Sequence, residues 1–139
     1  MSSKEYDISF NSPKVEDFAN LRLKIGWGEI DHSLVKQSFD NSLFHVAIYH
    51  HETLIAMGRV VGDGFMYFYI QDVIVDPKYQ GKGLGNMIME QIENYLSKAV
   101  VKGSTIGLLA AKGKEAFYRK FGYIERSGEP LGKGMCKFV

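Results

Sequence analysis

Three features of the chain predict an α/β fold built on a mixed sheet with helices on both faces. A long strand, residues 65–75, runs straight into a glycine-rich loop and then a helix. Two strands before it, residues 44–50 and 53–61, are joined by a tight turn at His51-Glu52 and therefore pair antiparallel. A strand after the helix, residues 105–109, must lie parallel to the long strand through a right-handed crossover. The order along the chain reads β-α-α-β-β-β-α-β-α-β-β.

Each element has its own signal. Tyr6, Ile8 and Phe10 alternate with polar residues, the period of a first strand. Ser12-Pro13 offers an N-cap and a first helical proline, with Glu16 and Asp17 at the positive end of the dipole. Val15, Phe18, Leu21 and Ile25 then share one helical face, and Gly26-Trp27-Gly28 ends it. A weaker helix is expected over 33–39. Residues 65–75 are apolar or aromatic on both faces, as in a central strand covered on both sides. Leu84, Met87, Ile88, Ile92, Tyr95, Leu96 and Ala99 form the clearest helical stripe. Residues 114–121 read as a helix stopped by Gly122. Ile124 and residues 135–139 suggest two last strands around the turn-rich stretch 128–134.

The 139 residues suit a single domain, 1–139. Apolar residues make up 45% and charged residues 24%, the profile of a soluble globular protein. Seventeen Lys and Arg against sixteen Asp and Glu argue against a footprint for nucleic acid or an anionic membrane. The one cysteine, Cys136, cannot close an internal disulfide, residues 1–7 do not read as a secretory leader, and no apolar run reaches the roughly 20 residues of a membrane span. A cytoplasmic location follows as the expectation. The four histidines and Cys136 lack metal-ligand spacing, so no metal is expected; His45 reads as packed or hydrogen-bonded, and Cys136 as a small buried residue.

The chemistry lies in the glycine loop. Glycines at a helix start let main-chain N–H groups approach an anion. The triphosphate-binding string Gly-x-x-x-x-Gly-Lys-Ser/Thr is absent. The dinucleotide fingerprint also fails, because Gly81-Lys82-Gly83-Leu84-Gly85-Asn86 places its third glycine one residue early and no acid follows near residues 100–104. A third pattern fits. Gln80-Gly81-Lys82-Gly83-Leu84-Gly85 resembles the Gln/Arg-x-x-Gly-x-Gly/Ala loop of the GCN5-related N-acetyltransferase (GNAT) superfamily, and Val73-Ile74-Val75-Asp76-Pro77 resembles its strand lead-in. Ala116-Phe117-Tyr118-Arg119-Lys120-Phe121-Gly122-Tyr123 resembles its Phe-Tyr-x-x-x-Gly-Phe/Tyr segment.

That resemblance implies a mostly antiparallel GNAT sheet with one splayed parallel pair, and acetyl-CoA as acyl donor. The pyrophosphate would lie on the N–H groups of Gln80, Gly81, Lys82, Gly83, Leu84, Gly85 and Asn86. The pantetheine arm would pair with Val73, Ile74 and Val75 where the strands splay. Tyr118 would meet the CoA sulfur and supply its proton, and the Val73 N–H would hold the oxyanion. The family's usual asparagine seven residues before the tyrosine is Ala111 here, so that cofactor contact is either missing or supplied by another group such as Lys112 or Lys114, which could also meet the 3′-phosphate of CoA. Lys82 is either a phosphate partner or a solvated loop lysine.

Other roles stay open at this level. Asp72, polar in an apolar strand, is either a base acting through water at a bulge or the cap of a local turn. Trp27, Glu29 and Tyr67 are candidates for the acceptor side; Glu29 and Asp31 also read as plain loop acids, and Tyr67 replaces a carboxylate base found in some family members. Phe65, Tyr67, Phe68 and Tyr69 read mainly as core. The expected function is acetyl transfer to a primary amine of a small molecule by direct attack in a ternary complex. A non-catalytic acyl-CoA sensor, a protein N-acetyltransferase, a longer acyl donor and a partner-binding domain are the alternatives; a homodimer through residues 135–139 is a further expectation from relatives.

Overall fold

The computed structural model describes residues 5–139; the first four, part of the leader reading above, lie outside the described residues. The chain divides into two compact units, one ending at Leu108 and the other Leu109–Val139.

The first unit is a five-stranded sheet in the spatial order β1 (Tyr6–Ser9), β2 (Phe44–His50), β3 (Thr53–Gly62), β4 (Tyr67–Val75), β5 (Thr105–Leu108). Neighbours are antiparallel from β1 to β4, and β4 and β5 are parallel. Two helices, α1 (Val15–Lys24) and α2 (His32–Asp40), connect β1 to β2, and α3 (Leu84–Ala99) makes the crossover from β4 to β5. The mixed, mostly antiparallel α/β sheet expected from the sequence is the observed one.

Adjacent residues on β3 show that both faces are covered. Met57 belongs to a cluster with Phe18 and Leu21 of α1 and Val35 and Phe39 of α2. Neighbouring Gly58 faces the other way, where a Cβ would lie 2.7 Å from Ile88 Cγ2 and 2.9 Å from Ile92 Cδ1 of α3. A glycine is needed there because α3 crosses the sheet too closely for any side chain. Leu84, Ile88, Met89, Ile92 and Leu96 are fully buried along that helix, at roughly 1.5–3 kcal/mol each.

Turn chemistry sets the boundaries. The β2–β3 turn holds His51 at φ 50° and Glu52 at φ 67°, the left-handed pair that matches strand twist. Helix α1 starts at Val15 behind Lys14, later than Ser12-Pro13 suggested, and no side chain caps it. It ends as a Schellman motif: Gly26, at φ 81°, donates to Leu23 O at 3.1 Å, and Trp27 N–H donates to Arg22 O at 2.9 Å.

One boundary changes the reading of the aromatics. The Asp63 Oδ1 accepts N–H bonds from Phe65, Met66 and Tyr67 at 2.8, 2.9 and 3.0 Å, so a turn extends to Met66 and β4 starts only at Tyr67. Phe65 is 75% exposed and Tyr67 58% exposed, against the core position expected for them; Phe68 is buried.

The second unit holds one short helix, α4 (Glu115–Arg119), with Gly122 in the left-handed region at φ 94° beyond it. The two strands expected at Ile124 and residues 135–139 are not formed. Gly128, Gly132 and Gly134 weaken a strand and Pro130 lacks a ladder donor. Local bonds replace pairing: Arg126 Nε donates to Gly132 O at 2.6 Å, and Ser127 Oγ to Glu129 O at 3.1 Å. Cys136 is exposed in this irregular segment, contrary to the buried position expected for it.

Candidate active site

The site is built around the second half of β4, where pairing changes on both edges. Toward β3, Met57 faces Ile74 and Arg59 faces Gln71, so Gly58 alone opposes both Asp72 and Val73. That is a β-bulge, with Asp72 left-handed at φ 58°. Toward β5, pairing runs from Tyr67↔Thr105 to Ile70↔Leu108 and stops. Beyond Ile70, the outer edge of β4 has no strand partner among the described residues. An edge without a strand partner can pair with an extended, amide-bearing ligand.

The glycine loop stands at the end of that edge. Asp76 is buried, and its N–H donates to Ile55 O at 2.8 Å. Its Oδ1 accepts from Lys78 N at 2.9 Å, and its Oδ2 from Lys24 Nζ at 3.0 Å. Burial would raise this carboxyl, but those donors together hold it below the ordinary carboxylate range. A single 3₁₀ turn, Pro77–Tyr79, follows. Gln80 Nε2 then donates back to Val75 O at 3.2 Å.

Gly81 and Gly83 take φ 81° and 82°, with nothing within 4 Å of where a Cβ would stand. Glycine is required there by conformation alone. Gly83 caps α3 without a side-chain bond, and the first turn carries no acid. Met87 N–H to Gly83 O is the first bond of the helix, so the N–H groups of Leu84 and Gly85 have no intrahelical acceptor. Left-handed glycines before an uncapped 16-residue helix form a ready anion cradle. Lys82 is exposed beside it.

Asp72 sits at a bulge, one of the two settings considered for it. It is 5% exposed, and its Oδ2 accepts from Arg59 Nε at 2.8 Å while Oδ1 accepts from Gln71 Nε2 at 3.1 Å. An amine would have to displace one of these partners to reach the carboxylate.

The acceptor candidates are dispersed. The Lys24–Asp76 ion pair brings the end of α1 to the root of the glycine loop, so the connection containing Trp27 and Glu29 starts nearby. Arg22 lies 5.7 Å over the Trp27 ring and donates to Trp27 O at 3.0 Å; Glu29 is exposed. Asp31 is the N-cap of α2, accepting from Leu34 N at 3.1 Å. Tyr67 begins β4, six positions before Val73 and roughly 20 Å along a strand, at the end away from the glycine loop. Tyr118 lies in α4 of the second unit, half-buried, its ring 5.0 Å edge-on from Phe117. Burial pushes its phenol above the ordinary value of 10.0. Among the described residues no group of three His, Cys, Asp or Glu gathers as a metal site.

Two features escaped sequence reasoning. Arg59 is the lone charge in an otherwise apolar strand, the same signal that drew attention to Asp72. Tyr79, at the root of the loop, bonds His50 Nδ1 at 2.7 Å, and His50 Nε2 meets Glu5 at 3.5 Å. No sequence spacing announces that contact. His45 is hydrogen-bonded as expected, its Nε2 3.0 Å from Phe39 O.

A parallel β4–β5 ladder that stops at Ile70 and Leu108 thus lies beside a bulge in β4, with left-handed glycines at the helix start beyond the strand's end. The family model described as "Acetyltransferase (GNAT) domain" matches residues 40–125, more than half of the chain. The chain belongs to the GNAT acetyltransferase family. An uncharacterised N-acetyltransferase, ycf52-like, of Prochlorococcus marinus is 30% identical over 99% of this chain and 77% of its own length. A ycf52 N-acetyltransferase of Gracilaria tenuistipitata is 33% identical over 92% of this chain and 71% of its own. Among solved structures, a probable acetyltransferase of meticillin-resistant Staphylococcus aureus superposes with a TM-score of 0.88 at 33% identity, covering 96% of this chain and 99% of that one.

Proposed function

We propose that this protein moves acetyl from acetyl-CoA to a primary amine of a small molecule by direct attack in a ternary complex. The observation that carries it is the continuity of two features: the unpaired edge of β4 after Ile70 and the left-handed glycines at the start of α3. An extended pantetheine amide chain suits the first, and a pyrophosphate suits the second.

In this reading the amine attacks the thioester carbonyl as the neutral base. The developing oxyanion is met by the Val73 N–H at the bulge, a fixed dipole whose worth grows where water is excluded. Tyr118 donates to the sulfur as the carbon–sulfur bond breaks. Its raised pKa keeps it protonated at neutral pH. A thiol near 8.5 is the stronger acid, so the phenol serves as a hydrogen-bond donor, and the proton reaching sulfur is the one lost by the attacking amine. Asp72 serves as counter-ion to Arg59 rather than as the base. Lys82 and either Lys112 or Lys114 supply charge for the phosphates. A near-balanced charge supports a small amine over a polybasic tail, and the lone cysteine supports a reducing compartment such as the cytoplasm. Thiol release from acetyl-CoA across a panel of primary amines tests the proposal. Amine-dependent release supports it; tight CoA binding with no release from any amine would favour the sensor alternative.

A further inference from the structure

We propose that Arg59 is a positioning residue for acetyl transfer, holding the left-handed bulge that aims the main chain of Val73. This rests on the assignment of the Val73 N–H as oxyanion donor. The direction of that N–H is set by the peptide plane after Asp72, the residue at φ 58°. A non-glycine residue in that region is strained by roughly 1–2 kcal/mol and persists only when its surroundings impose it. Arg59 imposes it. Its Nε holds Asp72 Oδ2 at 2.8 Å, while Nη1 reaches Ser38 Oγ at 2.9 Å and Ser42 Oγ at 2.8 Å. The guanidinium lies 5.1 Å over the Phe39 ring and the residue is 9% exposed. The bulge is thereby fixed to α2 and the residues just after it, elements outside the sheet. Loss of the bulge would shift the β3–β4 register by one and turn every later β4 side chain to the other face.

A buried ion pair is weak evidence of a role in stability, so the test must read geometry and turnover. In Arg59→Met, kcat should fall about a hundredfold, the cost of about 1 Å of misplacement, while the CoA dissociation constant stays within about threefold. Amide hydrogen exchange at Val73 should quicken while the α3 amides keep their protection. Arg59→Lys, which keeps the charge on Asp72, should recover much of kcat and slow the exchange again. Unchanged kcat and exchange in folded Arg59→Met, or Arg59→Lys no better than Arg59→Met, would overturn the proposal. Should Arg59→Met not fold, Ser38→Ala/Ser42→Ala removes the two hydroxyl anchors of Arg59, together with the Ser42 Oγ–Ser38 O bond, and must still quicken Val73 exchange; no change would overturn it. If the wild-type protein releases no thiol with any amine, acetyl transfer fails by itself, and exchange at Val73 continues to decide the role of Arg59.

Discussion

Alanine at Gly81 and Gly83 tests the anion cradle quantitatively. Both residues are left-handed, and an added Cβ would meet nothing within 4 Å. The penalty is therefore conformational, about 1–2 kcal/mol for each alanine held in that region. It can appear in two places. If the loop keeps its shape, Gly83→Ala loses about that much folding stability and CoA affinity is untouched. If the loop relaxes, stability is spared and the ligand must restore the strained form, which weakens CoA about five- to thirtyfold per substitution. The two losses should sum to the same total. Urea unfolding and isothermal titration with CoA measure both terms on one sample. Gly132→Ala, in open space outside the left-handed region, is the control and should change neither. If Gly81→Ala and Gly83→Ala leave both stability and affinity at wild-type values, the strained-loop argument is wrong.

Three further outcomes are expected. Tyr118→Phe removes a hydrogen-bond donor to the developing thiolate and should lower kcat about a hundredfold with CoA affinity kept, measured by thiol release and titration; equal turnover would remove the phenol from the mechanism. Gly58→Ala drives a Cβ into Ile88 and Ile92 and should cost about 1–3 kcal/mol in urea unfolding, a loss that an unchanged midpoint would contradict. Burial lowers the His45 pKa, and its Nδ1 is buried without a partner, so the folded protein resists a proton that the unfolded chain accepts. Stability should therefore fall as pH drops below the ordinary histidine value of 6.5. Urea midpoints at neutral and mildly acidic pH, with His45→Gln flattening the difference, check that sign.

The sheet was legible because its signals are local. Alternation in β1, the stripe of α3 and the His51-Glu52 turn between β2 and β3 each act within a few residues. Boundaries failed where one side chain overrode the pattern. Asp63 gathers three N–H groups and pulls Phe65 out of the strand, an event no periodicity records. The last strands failed because apolar residues near 124 and 135–139 look strand-like only when a partner edge is assumed, while Gly128, Pro130, Gly132 and Gly134 favour local bonds. In the candidate site, the glycine loop could be read directly because left-handed conformation demands glycine. The bulge was visible only as an odd polar residue. Its cause, Arg59 meeting Asp72 from the next strand, depends on a register that sequence spacing does not encode.

Amide spectra of the isotope-labelled protein titrated with coenzyme A test the central claim most directly. Resonances of Gly81, Lys82, Gly83, Leu84 and Gly85 should move together with those of Val73 and Val75 at micromolar ligand. Shifts confined to other segments, or none up to millimolar coenzyme A, would contradict a diphosphate seated on this loop.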